Sequence, residues 1–265
     1  WEFKSPYSHM KNVIIPQLDY HIIHNCNLSC EGCSDFTNHN LPGKISIEEA
    51  RKEYKFWNKR VFPKEFAILG GEPTLHKDLI EHLYLAREMW SYSRITLVTN
   101  GFFLHRHKNL GKVLSETNIQ IGFSLHDDSE EYMNKVQDNI DLCKSWEKDY
   151  GIVALINHCY KKWNLIYKGF GNDIMPYEDN DPEASWNNCF MDGKCFQLHD
   201  GKLWKCPPLT YLPLLAKNYK ISDKWDPYLK YKALDSDCSD KQLSEFLSRK
   251  SESVCAMCPS SKHYK

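Results

Sequence analysis

The alternation of two kinds of segment restricts this fold more than anything else in the chain. Across residues 13–156, five short apolar runs alternate with helix-like stretches. The runs are 13–23 (VIIPQLDYHII), Phe66–Leu69, Ile95–Thr99, Ile119–Leu125 and Ile152–Ile156, and each reads as a strand. Ser46-Ile47-Glu48-Glu49 is a capping box opening a helix to about Lys59. Leu79, Leu83, Ala86 and Trp90 share roughly one face of a helix over 78–90. A short helix follows around 107–116, and Ser129 caps another to about Trp146. Such alternation predicts a parallel sheet with right-handed crossovers, in which chemistry collects at the carboxyl ends of the strands. The unusual residues fall there. Three cysteines follow the first strand, Gly70-Gly71-Glu72 the second and Asn100-Gly101 the third, while Ser124 ends the fourth.

After residue 157 the alternation fails. Only Tyr160–Trp163 separates the fifth strand from NLIYKGF (164–170), too short for a crossover helix. If that run is a sixth strand, the sheet ends in an irregular or antiparallel turn. Residues 171–188 are polar and acidic and read as a linker or a substrate-facing loop. Ser239-x-x-Gln242 opens a last helix to about Arg249. There is no internal repeat and no low-complexity tract.

Composition sets limits. At 265 residues the chain is long enough for a sizeable core. Lys and Arg number 34 against 35 Asp and Glu, a net charge of −1, which argues against a general nucleic-acid or membrane polycation. No apolar run reaches membrane-spanning length. Eleven cysteines with no secretory signal pattern point to metal binding in the cytoplasm over a disulfide framework. Residues 1–9 end in Ser-His before Met10, so they are expected to be an expression scar with Met10 the native start.

Cys26-Asn-Leu-Ser-Cys30-Glu-Gly-Cys33 places three thiols within eight residues. Three thiolates wrap one compact soft-metal centre. On a cluster of four irons they leave one iron open to an exogenous ligand. The rival is a zinc knuckle, which needs a fourth donor from His21, His24 or His39. A Gly-Gly pair at a strand end removes two β-carbons and lets a ligand approach the backbone. Glu72 supplies a carboxylate for an ammonium group. Asn100-Gly101 also reads as an ordinary turn, and Ser124 as a cap or filler.

Together these motifs resemble the radical S-adenosylmethionine superfamily. The match is the C-x3-C-x2-C loop, Gly70-Gly71-Glu72-Pro73, Val98-Thr99-Asn100-Gly101 and Phe123-Ser124-Leu125, covering roughly residues 13–157. The resemblance implies an α/β fold, a partial (β/α)6 TIM-like barrel, here truncated or irregular after the fifth strand. It implies that Cys26, Cys30 and Cys33 hold a [4Fe–4S] cluster whose open iron chelates S-adenosylmethionine. Gly70, Gly71, Glu72 and Pro73 would receive the amino group of that ligand, and Asn100 and Ser124 its carboxylate and ribose. A reduced cluster would cleave it to methionine and a 5′-deoxyadenosyl radical that abstracts a substrate hydrogen. The residue before the third cysteine, often aromatic in this superfamily, is Gly32 here, and Phe36 is the candidate to replace it near adenine.

A second set of cysteines lies downstream. Gly201, between Cys189 and Cys206, permits a hairpin bringing distant cysteines together, and Cys255-Ala-Met-Cys258 is a C-x2-C pair. This region resembles the twitch subdomain, a shortened SPASM extension, which implies an auxiliary [4Fe–4S] cluster on Cys189, Cys206, Cys255 and Cys258. Cys195 is the alternative to Cys189, and a zinc ribbon using Cys258 or His263 the alternative to the cluster. Cys143, Cys159 and Cys238 read as bystanders. The expected organisation is residues 10–175 as barrel and 176–265 as twitch subdomain.

A fully ligated auxiliary cluster suits electron transfer, hence an oxidoreductase acting on a small hydroxylated or carbohydrate-like metabolite by dehydrogenation or epimerisation. The polar rim His126, Asp127, Asp128, Asn157 and His158 fits such a substrate, and a start at Met10 leaves about sixteen residues before Cys26, short for a peptide-recognition domain. A peptide-modifying maturase is the alternative, and a non-catalytic metal-binding module a third. His126 and His158 are the candidate bases because they follow strand ends. An external donor such as a flavodoxin or ferredoxin is expected, with no nucleic-acid or membrane partner.

Overall fold

The computed structural model describes residues 12–191 and 193–263. The expected scar at 1–9 lies outside the described residues. Five strands alternate with four helices: β1 (Val13–Ile23), α1 (Ile47–Trp57), β2 (Val61–Gly70), α2 (Leu79–Met89), β3 (Arg94–Thr99), α3 (Leu110–Thr117), β4 (Ile119–Leu125), α4 (Glu130–Tyr150) and β5 (Ala154–His158). Every pair from β1–β2 to β4–β5 is parallel. The helix starts follow the sequence. Ser46 and Glu49 form the reciprocal capping box, and Ser129 Oγ accepts from Tyr132 N.

The chain departs from expectation at several places. β2 begins at Val61, five residues before the apolar run, because Pro63, Lys64 and Glu65 interrupt the pattern without breaking the ladder. NLIYKGF forms no strand; within it Lys168 makes an isolated bridge to Met175. The sixth strand comes from the Cys-rich region. β6 (Cys195–His199) pairs parallel to β1, on the side away from β2, and turns back antiparallel into β7 (Lys202–Trp204). The sheet order is therefore β5-β4-β3-β2-β1-β6-β7, an open sheet whose barrel part stops at the fifth strand. The β6–β7 turn is Asp200-Gly201 with φ of 50° and 72°, the twist that suits a two-residue hairpin. Trp57 Nε1 donates to the Gly201 carbonyl at 2.8 Å, tying α1 to that turn.

Four helices follow or flank this hairpin: α5 (Pro182–Asn187), α6 (Pro207–Asn218), α7 (Asp226–Leu229) and α8 (Asp240–Ser248). Among the described residues no helix is long and apolar enough to cross a membrane. The main core lies between the sheet and α1–α4, and Phe196, Leu198, Leu203, Leu243 and Phe246 join it from the C-terminal third. A second core gathers Phe36, Tyr167, Ile174, Leu209, Leu212, Trp225 and Met257. Segment 171–188 packs into the second core and lines neither cavity at the strand ends. Ile174 is buried in the second core, and Ser185 donates to the Cys258 carbonyl at 2.9 Å.

Two consequences are measurable. Gly111 lies inside α3, where Ala is ordinarily better by about 1 kcal/mol. Here an added β-carbon would meet Trp146 Cγ at 2.5 Å, so Gly111→Ala lowers the urea midpoint instead, and Trp146→Leu relieves the loss. His76 and His82 both approach the Ile45 carbonyl, at 3.0 and 3.1 Å, fixing the loop before α1. Burial lowers the His82 pKa from 6.5 to about 4. Between those values the unfolded chain binds more protons, so stability falls as pH drops from 6.5 toward 4 and is flat above 6.5. Urea midpoints for wild type and His82→Leu at pH 7 and 5 should show a smaller pH difference in the variant.

Candidate active site

The carboxyl ends of β1–β4 surround one cavity of about 200 Å³. Its wall includes Cys26, Cys30 and Cys33 from the loop after β1, Gly70 and Gly71 from β2, Asn100 after β3, and Ser124 and His126 at the end of β4. The strand-end argument therefore brings together residues up to a hundred positions apart. A neighbouring cavity of about 380 Å³ shares Leu28, Cys30, His126 and Trp163 with the first and adds Asp127, Asp128, Tyr132 and Tyr160.

The glycine pair acts by close approach of two chain segments. A β-carbon on Gly70 would meet the Ile23 carbonyl oxygen at 2.2 Å, and one on Gly71 the Asn25 oxygen at 2.1 Å. Gly71 N donates to Ile23 O and Glu72 N to Asn25 O, each at 2.9 Å. Only glycines let the β2 end lie this tightly against the thiol loop.

Glu72 is fully buried. Its Oε1 accepts from Thr74 N at 2.9 Å, Thr74 Oγ1 at 2.5 Å and Thr99 Oγ1 at 2.6 Å; its Oε2 accepts from Asn100 N at 2.7 Å. Burial raises its pKa and these hydrogen bonds oppose the rise. Neither Glu72 nor Pro73 is on the cavity wall, so Glu72 holds the β2 and β3 ends together beneath it.

None of the three cysteines is in a disulfide, and each is partly exposed. Burial pushes the Cys26 thiol up to about 12 and raises that of Cys33, so ionisation needs a positive partner such as a bound metal. Donors already face the sulfurs. Leu28 N lies 3.4 Å from Cys26 Sγ and Asn100 Nδ2 at 3.8 Å, while Thr37 Oγ1 lies 3.3 Å from Cys33 Sγ. Hydrogen bonds of this kind tune sulfur-ligated clusters. Among the described residues no three His, Cys, Asp or Glu side chains close on a single-ion point; the thiols border a cavity instead. His21, His24 and His39 are absent from its wall. His21 stacks on Tyr211 at 4.1 Å and lies 3.3 Å from Asp35, and His39 is hydrogen-bonded to Gly171 N.

Two candidates lie off the cavity walls. Phe36 is fully buried with φ 55°, stacked on Tyr167 at 5.0 Å in the second core, and does not reach the cavity. His158 is exposed on the edge strand, with Nδ1 3.1 Å from the Tyr160 hydroxyl, and lines neither cavity. His126 lines both. Burial lowers its pKa to about 4 and leaves Nδ1 without a hydrogen-bond partner, a neutral imidazole at pH 7. The sequence reading missed Cys159, Trp163, Thr37 and Asn38 on the wall. Cys159 follows β5 directly, so the strand-end rule could have found it; the other three carry no periodic or motif signal.

The second set also converges. Cys189, Cys206, Cys255 and Cys258 line one small cavity with Trp186, Lys205 and Met257. Cys195 is not among its walls; it sits on β6 opposite Gln17. Burial raises the Cys206 thiol to about 12 and raises those of Cys255 and Cys258. Lys205, buried and 2.6 Å from Glu252, is the nearby cation. His263 is elsewhere, with its backbone N–H donated to Asn164.

Glu72→Gln tests the buried tie. An amide set against four donors leaves at least one clash or one unsatisfied group, a cost of roughly 1–3 kcal/mol. The urea midpoint should drop accordingly, and Glu72→Ala should lower it at least as much.

Comparison with known proteins agrees with this layout. The profile of the radical SAM superfamily matches residues 20–148. A 7,8-dihydro-6-hydroxymethylpterin dimethyltransferase of Methanocaldococcus jannaschii is 33% identical over 116 residues, 42% of this chain and 22% of that protein. A GTP 3′,8-cyclase of Aquifex aeolicus is 29% identical over 165 residues, 56% of this chain and 47% of that enzyme. The chain thus matches less than half the length of these curated relatives. Among solved structures, BtrN in complex with AdoMet and 2-DOIA superposes with a TM-score of 0.54 over 93% of this chain and 94% of that one. At 16% identity that likeness is one of fold. The thiol loop, the glycine pair and the buried glutamate stand at consecutive strand ends inside the matched span, and residues 20–148 form a domain of the radical SAM superfamily.

Proposed function

We propose that the protein is a cytoplasmic radical SAM oxidoreductase acting on a small hydroxylated or carbohydrate-like metabolite. The single observation that carries the reading is the convergence of Cys26, Cys30 and Cys33 with Gly70, Gly71, Asn100 and Ser124 on one cavity. In this reading Cys26, Cys30 and Cys33 hold a [4Fe–4S] cluster that, reduced by a flavodoxin or ferredoxin, supplies the electron that splits S-adenosylmethionine into methionine and a 5′-deoxyadenosyl radical. The chain's own residues do the rest. The tight Gly70–Gly71 backbone bounds the floor on which the ligand's amino acid end rests, and Glu72 keeps that floor rigid without touching it. Asn100 and Ser124 offer polar groups to its carboxylate and ribose. His126, a neutral imidazole between the two cavities, is placed to take a hydroxyl proton from a substrate in the outer one.

Residues 176–265 serve in this reading as the twitch subdomain, with Cys189, Cys206, Cys255 and Cys258 as ligands of an auxiliary [4Fe–4S] cluster. Their shared cavity supports that set over one using Cys195. Lys205 beside it offsets part of the negative charge that four thiolates bring. Such a centre, closed to substrate, suits removal of an electron from a substrate radical.

Iron and acid-labile sulfide per chain, after anaerobic reconstitution, test both halves. Wild type should hold about eight irons and the Cys26/Cys30/Cys33→Ala variant about four, at ~4 irons per cube. Cys30→Ala should also abolish 5′-deoxyadenosine formation; retained formation would sink the assignment. Wild type near four with the variant near zero would remove the auxiliary cluster and the electron-transfer argument with it.

A further inference from the structure

Asn38 borders the same cavity as Cys33 and Gly71, yet only 5% of it is exposed. Its amide oxygen is fully engaged. Tyr167 Oη donates to Oδ1 at 3.1 Å, and His39 Nδ1 lies 2.8 Å from the same atom. Its amide nitrogen has no acceptor among the described residues. An NH2 that opens on the cavity with no acceptor from the protein is available to donate to a molecule bound there.

The orientation of that amide is dictated by its neighbour. Gly171 N–H donates to His39 Nε2 at 3.0 Å, so Nε2 carries the lone pair. The ring proton is then on Nδ1. Nδ1 faces Asn38 Oδ1 at 2.8 Å and the Phe36 carbonyl at 3.2 Å, both acceptors, as a donor requires. Turning the amide over would set N–H against N–H. The ring itself is fixed, stacked on Phe170 at 4.2 Å, and burial lowers its pKa, keeping it neutral. The oxygen therefore points to His39 and Tyr167, and the NH2 to the cavity.

We infer that Asn38 is a ligand-recognition residue that donates a hydrogen bond to an oxygen or ring-nitrogen acceptor of S-adenosylmethionine, with His39 as the residue that positions it. Asn38 lines the inner cavity with the thiols and the glycine pair and is absent from the outer one, which assigns it to this ligand over the substrate. The inference rests on the reading that the inner cavity takes S-adenosylmethionine.

The test is the affinity of the reconstituted protein for S-adenosylmethionine by equilibrium dialysis, with iron content measured alongside. Asn38→Leu should bind about tenfold more weakly, the loss of about 1.4 kcal/mol expected for one hydrogen bond, with iron unchanged. Asn38→Asp keeps the oxygen that His39 and Tyr167 need and sets a carboxylate against the acceptor, so it should bind at least as weakly. It serves as the second variant should Leu reduce the iron content. His39→Phe should weaken binding in the wild-type background and not in the Asn38→Leu background, because positioning is lost only once. With 5′-deoxyadenosine as the probe, a retained Asn38 effect places the acceptor on the nucleoside and a vanished one places it on the methionine end. Equal affinity of Asn38→Leu and wild type would overturn the role of Asn38, and additive losses would overturn that of His39. A wild type that binds no S-adenosylmethionine would instead overturn the parent reading.

Discussion

The carboxylate of Glu72 is the point on which this site depends. A charged carboxylate removed from water is costly unless its lone pairs are filled. Here four donors fill them, two from the turn after β2 and two from the end of β3. The same residue's N–H is anchored on Asn25, the residue before the first thiol. One side chain and its peptide thereby set the relative positions of three loops. The glycine pair makes the arrangement sterically possible, and the glutamate makes it rigid.

Much of this was legible because it is local. Capping boxes at Ser46 and Ser239 and the cap at Ser129 are written within four residues, and all three helices start where those residues put them. The strand-end rule then collected Cys26, Gly70, Asn100 and Ser124, since in a parallel sheet every such end faces the same side. The hairpin at Gly201 was signalled by its glycine. The partnership of β6 with β1 was not, because it joins residues about 180 apart through a four-residue register that no local pattern encodes.

The misses have physical causes. Phe36 follows the thiol loop closely enough to suggest a ligand contact, but its left-handed backbone turns the ring away into the second core. His158 stands at a strand end like His126, yet β5 is the open edge of the sheet and leaves it exposed. Trp163 reaches the cavity from a stretch without periodicity, held by its indole N–H on the Glu31 carbonyl. Asn38 carries no motif signal; its amide orientation is set by the tautomer of the adjacent His39, which the distant Gly171 N–H selects.

The docking of β6 has a bearing on how the chain could be divided. β1 carries the thiol loop at its end and is an inner strand only because β6 covers its far side at Gln17–Tyr20. Truncation after the fifth strand would keep the thiols, the glycine pair and Glu72, yet strip that cover. The exposed ladder would become a template for pairing with other copies. The C-terminal hairpin thus acts as a molecular selvedge for the sheet that carries the thiol loop.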